Sequence, residues 1–151
     1  WVYAYDLAGN LRVQEDPATG QHLQFCHDHL GRVLREYELP FDWDGDTLVS
    51  CTGPANPQTT VVYEYDSDTG YGYGHGIGKL HRVTDASGET AFPVYDVRGR
   101  PETVEKTIVV DGRAEEGVTT FTYDEVDRVT NVSYPDSETV TFGYDPAGRL
   151  N

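Results

Sequence analysis

Two acidic stretches offer the first chemistry to consider. Asp42, Asp44 and Asp46, and again Asp66 and Asp68, stand at alternating positions and present hard oxygen donors of the kind calcium takes. Neither stretch continues into a twelve-residue loop closed by a distal Glu, so these five carboxylates are weak calcium candidates beside the simpler reading of solvated acidic turns. His22, His27 and His29 could gather round a transition metal, because His27 and His29 share a strand face at period two. No cysteine or carboxylate is placed as a fourth ligand, however, and a structural role is the better reading. The glycine run 70–78, followed by Lys79, invites a phosphate loop. No register of Gly-x-Gly-x-x-Gly closes on a glycine, and Tyr73 and Leu80 stand where the Walker pattern needs Gly and Ser or Thr, so a loop inserted in a hairpin is favoured. Serines and cysteines lack a nucleophile elbow, and the scattered carboxylates that could mimic a glycosidase pair are explained by an acidic surface. No catalytic residue and no cofactor is assigned, and the chain reads as a non-enzyme. The sequon Asn131-Val132-Ser133 falls in an expected strand and matters only where secreted proteins are glycosylated.

What positions side chains along this sequence is a repeat. Tyr-Asp-x-x-Gly-(Arg or Asn) occurs at Tyr5, Asp6, Gly9 and Asn10, at Tyr95, Asp96, Gly99 and Arg100, and at Tyr144, Asp145, Gly148 and Arg149. One degenerate copy has His27 in the Tyr place and keeps Asp28, Gly31 and Arg32; another has Tyr123, Asp124 and Arg128, with Asp127 in the Gly place. Tyr65 and Asp66 open a sixth copy, in which an insertion at 67–76 delays the closing Gly78-Lys79-Leu80. The copies start at 5, 27, 65, 95, 123 and 144, which sets a basic unit of about 21 residues with insertions. Asp at the head of a type I turn accepts backbone hydrogen bonds from residues ahead of it, and Gly supplies the positive φ that ends the turn, so each copy predicts a chain reversal. Flanking residues alternate as strands do: Val61, Tyr63 and Tyr65, then Thr119, Phe121 and Tyr123, then Val140, Phe142 and Tyr144. Second turns at 16–20, 85–88, 111–112 and 134–138 halve the units. The outcome is an all-β chain of about a dozen antiparallel strands in one meander, without a convincing helix. The motif tyrosines are expected to stack in register from repeat to repeat, each cross-strand pair contributing roughly 0.2–1 kcal/mol.

Composition limits the partners. The 151 residues are 37% hydrophobic, enough for one modest core, and 26 acidic residues against 11 basic give a formal charge of -15. Nucleic-acid phosphate and anionic lipid would be repelled over most of such a surface, and no apolar run is long enough for a membrane helix, so neither nucleic acid nor membrane insertion is expected. Cys26 and Cys51 lack the Cys-x-x-Cys spacing of a zinc or redox site. Two small buried side chains are the favoured reading, and a bridge between them is the alternative. The stretch 40–58, where prolines and glycines sit among acidic residues, is read as an insertion loop or a boundary. It separates two units in 1–39 from four in 59–151.

With these motifs in hand, the sequence resembles the YD-repeat family: Rhs polymorphic toxins, teneurins, and the B and C components of insecticidal toxin complexes. Residues 65–150 carry the resemblance best, through Gly76-Ile77-Gly78-Lys79-Leu80, Val83-Thr84-Asp85-Ala86-Ser87-Gly88, Tyr95-Asp96, Tyr134-Pro135-Asp136 and Tyr144-Asp145 in family order. The resemblance implies a β-sheet strip that spirals into part of a large hollow shell, with the chain a window cut from a longer array. Its neighbours would be further repeats of the parent chain, and its partner an encapsulated toxin domain or a cell-surface molecule. Location would be secreted or at the cell surface of a bacterium. The role implied is structural, enclosing or presenting another domain. The alternative is an adhesion module that binds protein or glycan through loops at 40–58 and 67–76.

Overall fold

The computed structural model describes residues 1–39, 48–52, 60–66 and 75–151. Asp42, Asp44, Asp46 and Asp68, most of the 40–58 stretch and the first half of the glycine run lie outside the described residues. The strands are β1 (Val2–Tyr5), β2 (Leu11–Asp16), β3 (Gln21–His27), β4 (Val33–Leu39), β5 (Thr60–Tyr65), β6 (Leu80–Asp85), β7 (Gly88–Tyr95), β8 (Pro101–Val110), β9 (Arg113–Tyr123), β10 (Val129–Ser133) and β11 (Thr139–Thr141). They neighbour one another in chain order in one 11-stranded sheet, and no helix occurs among the described residues, as the period-two alternation predicts. In β9, for example, Thr119, Phe121 and Tyr123 are half-buried while Val118, Thr120 and Thr122 between them are exposed.

Contacts group the chain into two units, Trp1–Glu64 with Val83–Ala86, and Tyr65–Arg82 with Ser87–Asn151. In the first, β2, β3, β4 and the start of β5 form an antiparallel ladder whose buried residues are Val13, Cys26, Tyr37, Leu39, Thr60 and Gln24. Gln24, only 2% exposed, satisfies its amide as a strand would: Nε2 donates to the Val49 carbonyl at 2.8 Å and Oε1 accepts the Val49 N–H at 2.7 Å. The Tyr37 hydroxyl donates to the Ser50 carbonyl at 3.4 Å. These bonds lay residues 48–52 against β3 and bring Cys51 over Cys26, with Cα atoms 5.7 Å apart, within reach of a disulfide. The two are bridged, which corrects the reading of two separate small side chains. Spacing along the chain gave no sign of it, because the residue that aligns them is a glutamine two positions away on the same strand face.

In the second unit, β8 and β9 pair from Thr103↔Thr120 to Val110↔Arg113 and close on Asp111-Gly112. Both turn residues have positive φ, 50° and 75°, the two-residue form that matches strand twist. At the other edge of β8, Gly88 has φ +141°, and a Cβ there would sit 2.0 Å from the Thr107 carbonyl oxygen, so β7 approaches as only glycine allows. Ala91 and Val132 are the buried apolar residues of this unit among those described. With so few buried side chains, backbone ladders and turns carry a share of stability that a layered core supplies elsewhere.

Removing the bridge is therefore expected to cost the first unit dearly. From the 25-residue separation of the cysteines, Cys26→Ser with Cys51→Ser should lower the unfolding free energy by about 3 kcal/mol, read from urea midpoints of oxidised wild type and variant.

Candidate functional site

The recurring Tyr-Asp turn is the site this fold builds, and one carboxylate organises each copy. Asp96 Oδ1 accepts the N–H groups of Arg98 at 2.8 Å and Arg100 at 2.9 Å, while its Oδ2 accepts Nε of the Arg100 side chain at 2.6 Å. The same three bonds recur from Leu30, Arg32 and Arg32 Nε to Asp28, from Val126, Arg128 and Arg128 Nε to Asp124, and from Ala147, Arg149 and Arg149 Nε to Asp145. At Asp6 the third donor is Asn10 Nδ2, at 3.0 Å. Backbone bonds complete each turn, with the Asp N–H donating to the carbonyl of the residue four ahead, as from Asp96 to Arg100 at 2.9 Å. The residue before each Asp pairs with the one six positions on: Tyr5↔Leu11, His27↔Val33, Tyr95↔Pro101, Tyr123↔Val129, and Tyr144↔Leu150 as an isolated bridge. His27 thus fills the tyrosine place. In the four strand-borne copies the ladder slips by one residue just beyond this pair, a bulge that period-two counting does not register.

Departures from the motif are accommodated by identifiable contacts. Gly99 takes φ +74°, and a Cβ there would meet Lys79 Cε at 2.8 Å. Where Asp127 replaces that glycine it adopts φ 69°, a conformation aspartate tolerates better than most residues. Its carboxylate accepts Arg98 Nη1 at 2.8 Å and Arg100 Nη1 at 2.7 Å, tying this turn to the preceding one. In the interrupted copy, the Asp66 N–H donates to the Lys79 carbonyl at 3.0 Å and Asp66 Oδ1 accepts the Gly78 N–H at 2.5 Å. The turn frame closes across the insertion, and the one calcium-candidate carboxylate among the described residues is spent on it.

Successive turns are then joined by the tyrosines. Tyr95 donates its hydroxyl to the Leu80 carbonyl at 2.5 Å, Tyr123 to Pro101 at 2.7 Å, and Tyr144 to Val129 at 2.8 Å; each acceptor is the residue that closes the preceding motif. Arg100 lies 4.4 Å over the Tyr123 ring and Arg128 lies 4.3 Å over that of Tyr144. Stacking of tyrosine on tyrosine was the expectation; the Tyr123 and Tyr144 rings meet the guanidinium of the turn before, and their hydroxyls the carbonyl that closes it. Burial raises the phenol pKa of Tyr95 and Tyr123, keeping these hydroxyls donors.

The remaining sequence candidates do not converge. His22 stands in β3 with Nε2 at 3.9 Å from Glu15 Oε2, His27 ends that strand, and His29 falls in the turn beyond it, off the face it was expected to share with His27. Among the described residues no three His, Cys, Asp or Glu side chains are grouped as metal ligands. Asn131 of the sequon commits its amide to Thr122 and Thr141 across the neighbouring strands, at 2.9 Å each.

The turn carboxylates are held below their ordinary value of 3.8, each for a nameable reason. At Asp6 the Asn10 side chain leads; at Asp124 and Asp145 the backbone N–H of the closing arginine leads; at Asp28 and Asp96 partial burial pushes upward and is outweighed by the N–H and guanidinium of Arg32 and Arg100. A depressed folded-state pKa means stability that is fully present above the unfolded value and is lost as pH falls through the folded values. Acid should thus unfold the chain from about pH 4 downward. Asp96→Asn with Asp124→Asn should be less stable than wild type at pH 7 and lose less on acidification; parallel stability curves would contradict the assignment. Arg100→Lys, which keeps the charge but not the planar Nε–H stacked over Tyr123, should cost about 1 kcal/mol in a denaturant midpoint.

Residues 123–151 match the RHS Repeat family model. Among curated proteins no relative matches the chain. Solved structures resemble it throughout: the crystal structure of TcdB2-TccC3 at TM-score 0.76 and 17% identity, covering 99% of this chain and 8% of that one, and the TcdB2-TccC3-Cdc42 structure at 0.76 and 16%, with the same coverage. The Photorhabdus luminescens Tc holotoxin pore follows at TM-score 0.75 and 17% identity, covering 99% of this chain and 7% of the other. At such identities the likeness is one of fold, and this chain spans under a tenth of each of those chains. The part of the chain that matches the RHS Repeat model is thus its last unit, and the same tyrosine-aspartate turn recurs along the sheet before it.

Proposed function

We propose that this chain is a wall segment of an Rhs-type shell, without catalytic activity of its own, whose part in a longer parent protein is to enclose or present another domain. The observation that carries the proposal is the turn-to-turn linkage in the second unit. Arg100 reaches Tyr123 and Arg128 reaches Tyr144, so successive hairpins are locked in register by contacts that do not depend on a layered core. A wall has to be built this way, because one face must stay open to contents and the other to solvent. The likeness of fold to Tc toxin structures supports the reading. The acidic composition suits the exterior of a large soluble particle, and the Cys26–Cys51 bridge suits an oxidising compartment, in keeping with secretion or display at the cell surface. Neighbouring repeats of the parent would continue the sheet, and the contents would be a toxin or other effector domain. The loops that an adhesion role would use lie largely outside the described residues, so no observation favours that reading.

The test is made on the native polypeptide. An antibody to this chain should detect, in secreted or surface fractions, a band well above about 100 kDa, beyond an ordinary single domain. Limited proteolysis of that particle should leave an enclosed polypeptide intact until denaturant opens it. A native band of this chain's own size, or contents cleaved as fast in the native particle as in denaturant, would overturn the enclosing role.

A further inference from the structure

β8 and β9 break the proportions of the repeat. At 10 and 11 residues they outrun the other strands, whereas β10, the next in the sheet, has 5. Pairing between β9 and β10 therefore begins only at Thr120↔Ser133, and the part of β9 before it, residues 113–119, runs on with no strand on that side. The two-residue turn decides how this stretch faces. Arg113 pairs with Val110 across the turn and points its N–H and carbonyl to β8, so by alternation those of Ala114, Glu116 and Val118 point outward. Pro135 stands where the register would place the next partner of Val118, and proline has no N–H to offer; a Cβ on Gly117 would meet its ring at 2.9 Å. Residues 113–116 and Val118 are exposed. β7 and β10 already flank the hairpin in the sheet, so repeats joining at either end of the sheet would not pair with this edge.

We infer that this edge is a docking site for an extended, lysine- or arginine-bearing segment of another protein, which adds a strand beside residues 113–119 through the outward N–H and carbonyl groups. Charge selects the occupant. Glu105, Asp111, Glu115, Glu116, Asp136 and Glu138 lie exposed on the hairpin and the neighbouring 134–138 turn, against Lys106 and Arg113, and none of the six is in an ion pair among the described residues. Glu115 and Glu116 point to opposite faces of the sheet, so a cationic strand meets a carboxylate on either side. A second copy fits poorly, because antiparallel self-pairing about the middle of the edge sets the two copies' Glu116 side by side, and like charges directly opposite are destabilising. The inference stands whether or not the chain encloses anything.

The probe is a fluorescent peptide of about seven residues, lysine alternating with threonine, titrated in low salt with the 151-residue chain up to about 1 mM. Its anisotropy should rise saturably, and less steeply as salt screens the charges. In hydrogen exchange, the amides of Ala114, Glu116 and Val118 should slow at least about tenfold when the probe is bound. A probe of equal charge with proline in place of threonine, extended but unable to form a ladder, should bind at least about tenfold more weakly. Ala114→Pro, which removes one outward donor and no charge, should weaken binding about fivefold and keep the unfolding midpoint. Glu115→Lys with Glu116→Lys should exclude the lysine probe and admit one that alternates glutamate with threonine. No saturable binding of the lysine probe, no slowing of those three amides, equal binding of the proline probe, or indifference to the paired reversal would each overturn the inference. Self-association of the chain that Ala114→Pro relieves would overturn it too, by making a second copy the occupant.

Discussion

The repeated turns at Asp28, Asp96, Asp124 and Asp145 each depend on one aspartate carboxylate receiving three donors at once. Two are backbone N–H groups that fix the turn, and the third is the Nε–H of the arginine that ends it. The last bond matters most beyond the turn itself, because it holds the guanidinium flat at a set height and turns a flexible side chain into a platform. The next tyrosine settles under that platform and reaches back to the carbonyl beside it. Local turn chemistry is in this way converted into a contact between neighbouring hairpins. The conversion needs both a bidentate carboxylate and a planar cation, and lysine or glutamate could not replace either.

Seen from that interaction, the degenerate copies are not equally degenerate. Asn10 keeps the third bond to Asp6 but has no cation to present, so the first turn is shaped without being able to grip an aromatic ring through charge. Asp127 gives up the glycine and in exchange recruits Arg98 and Arg100 of the turn before. The copy opened by Asp66 shows that the frame requires its two ends and not the usual two residues between them.

Much of this was legible in the sequence, and the parts that were not share a cause. Strands, turns and their alternation follow from period two and from the residues that turns demand, which are local rules, so Tyr-Asp copies as far apart as residues 5 and 144 announce the same reversal. The bulge after each copy was hidden because it is a property of two strands and leaves no residue type behind. The bridge between Cys26 and Cys51 was hidden because Gln24, an unremarkable polar residue, sets their approach. Equal spacing suggested that the tyrosines stack on one another, but it carries no sign of the guanidinium that lies over the Tyr123 and Tyr144 rings, because that guanidinium is set by an aspartate of the turn before.

A linkage that passes only from one turn to the next also governs how such a chain yields to force. Pulled along the direction in which the hairpins succeed one another, the second unit, whose buried apolar residues among those described are Ala91 and Val132, has little core that must fail all at once. It should give way as a zipper does, tooth by tooth, each step releasing one guanidinium from one ring and one hydroxyl from one carbonyl. Where a tooth lacks its cation, as at Asn10, the zipper opens first.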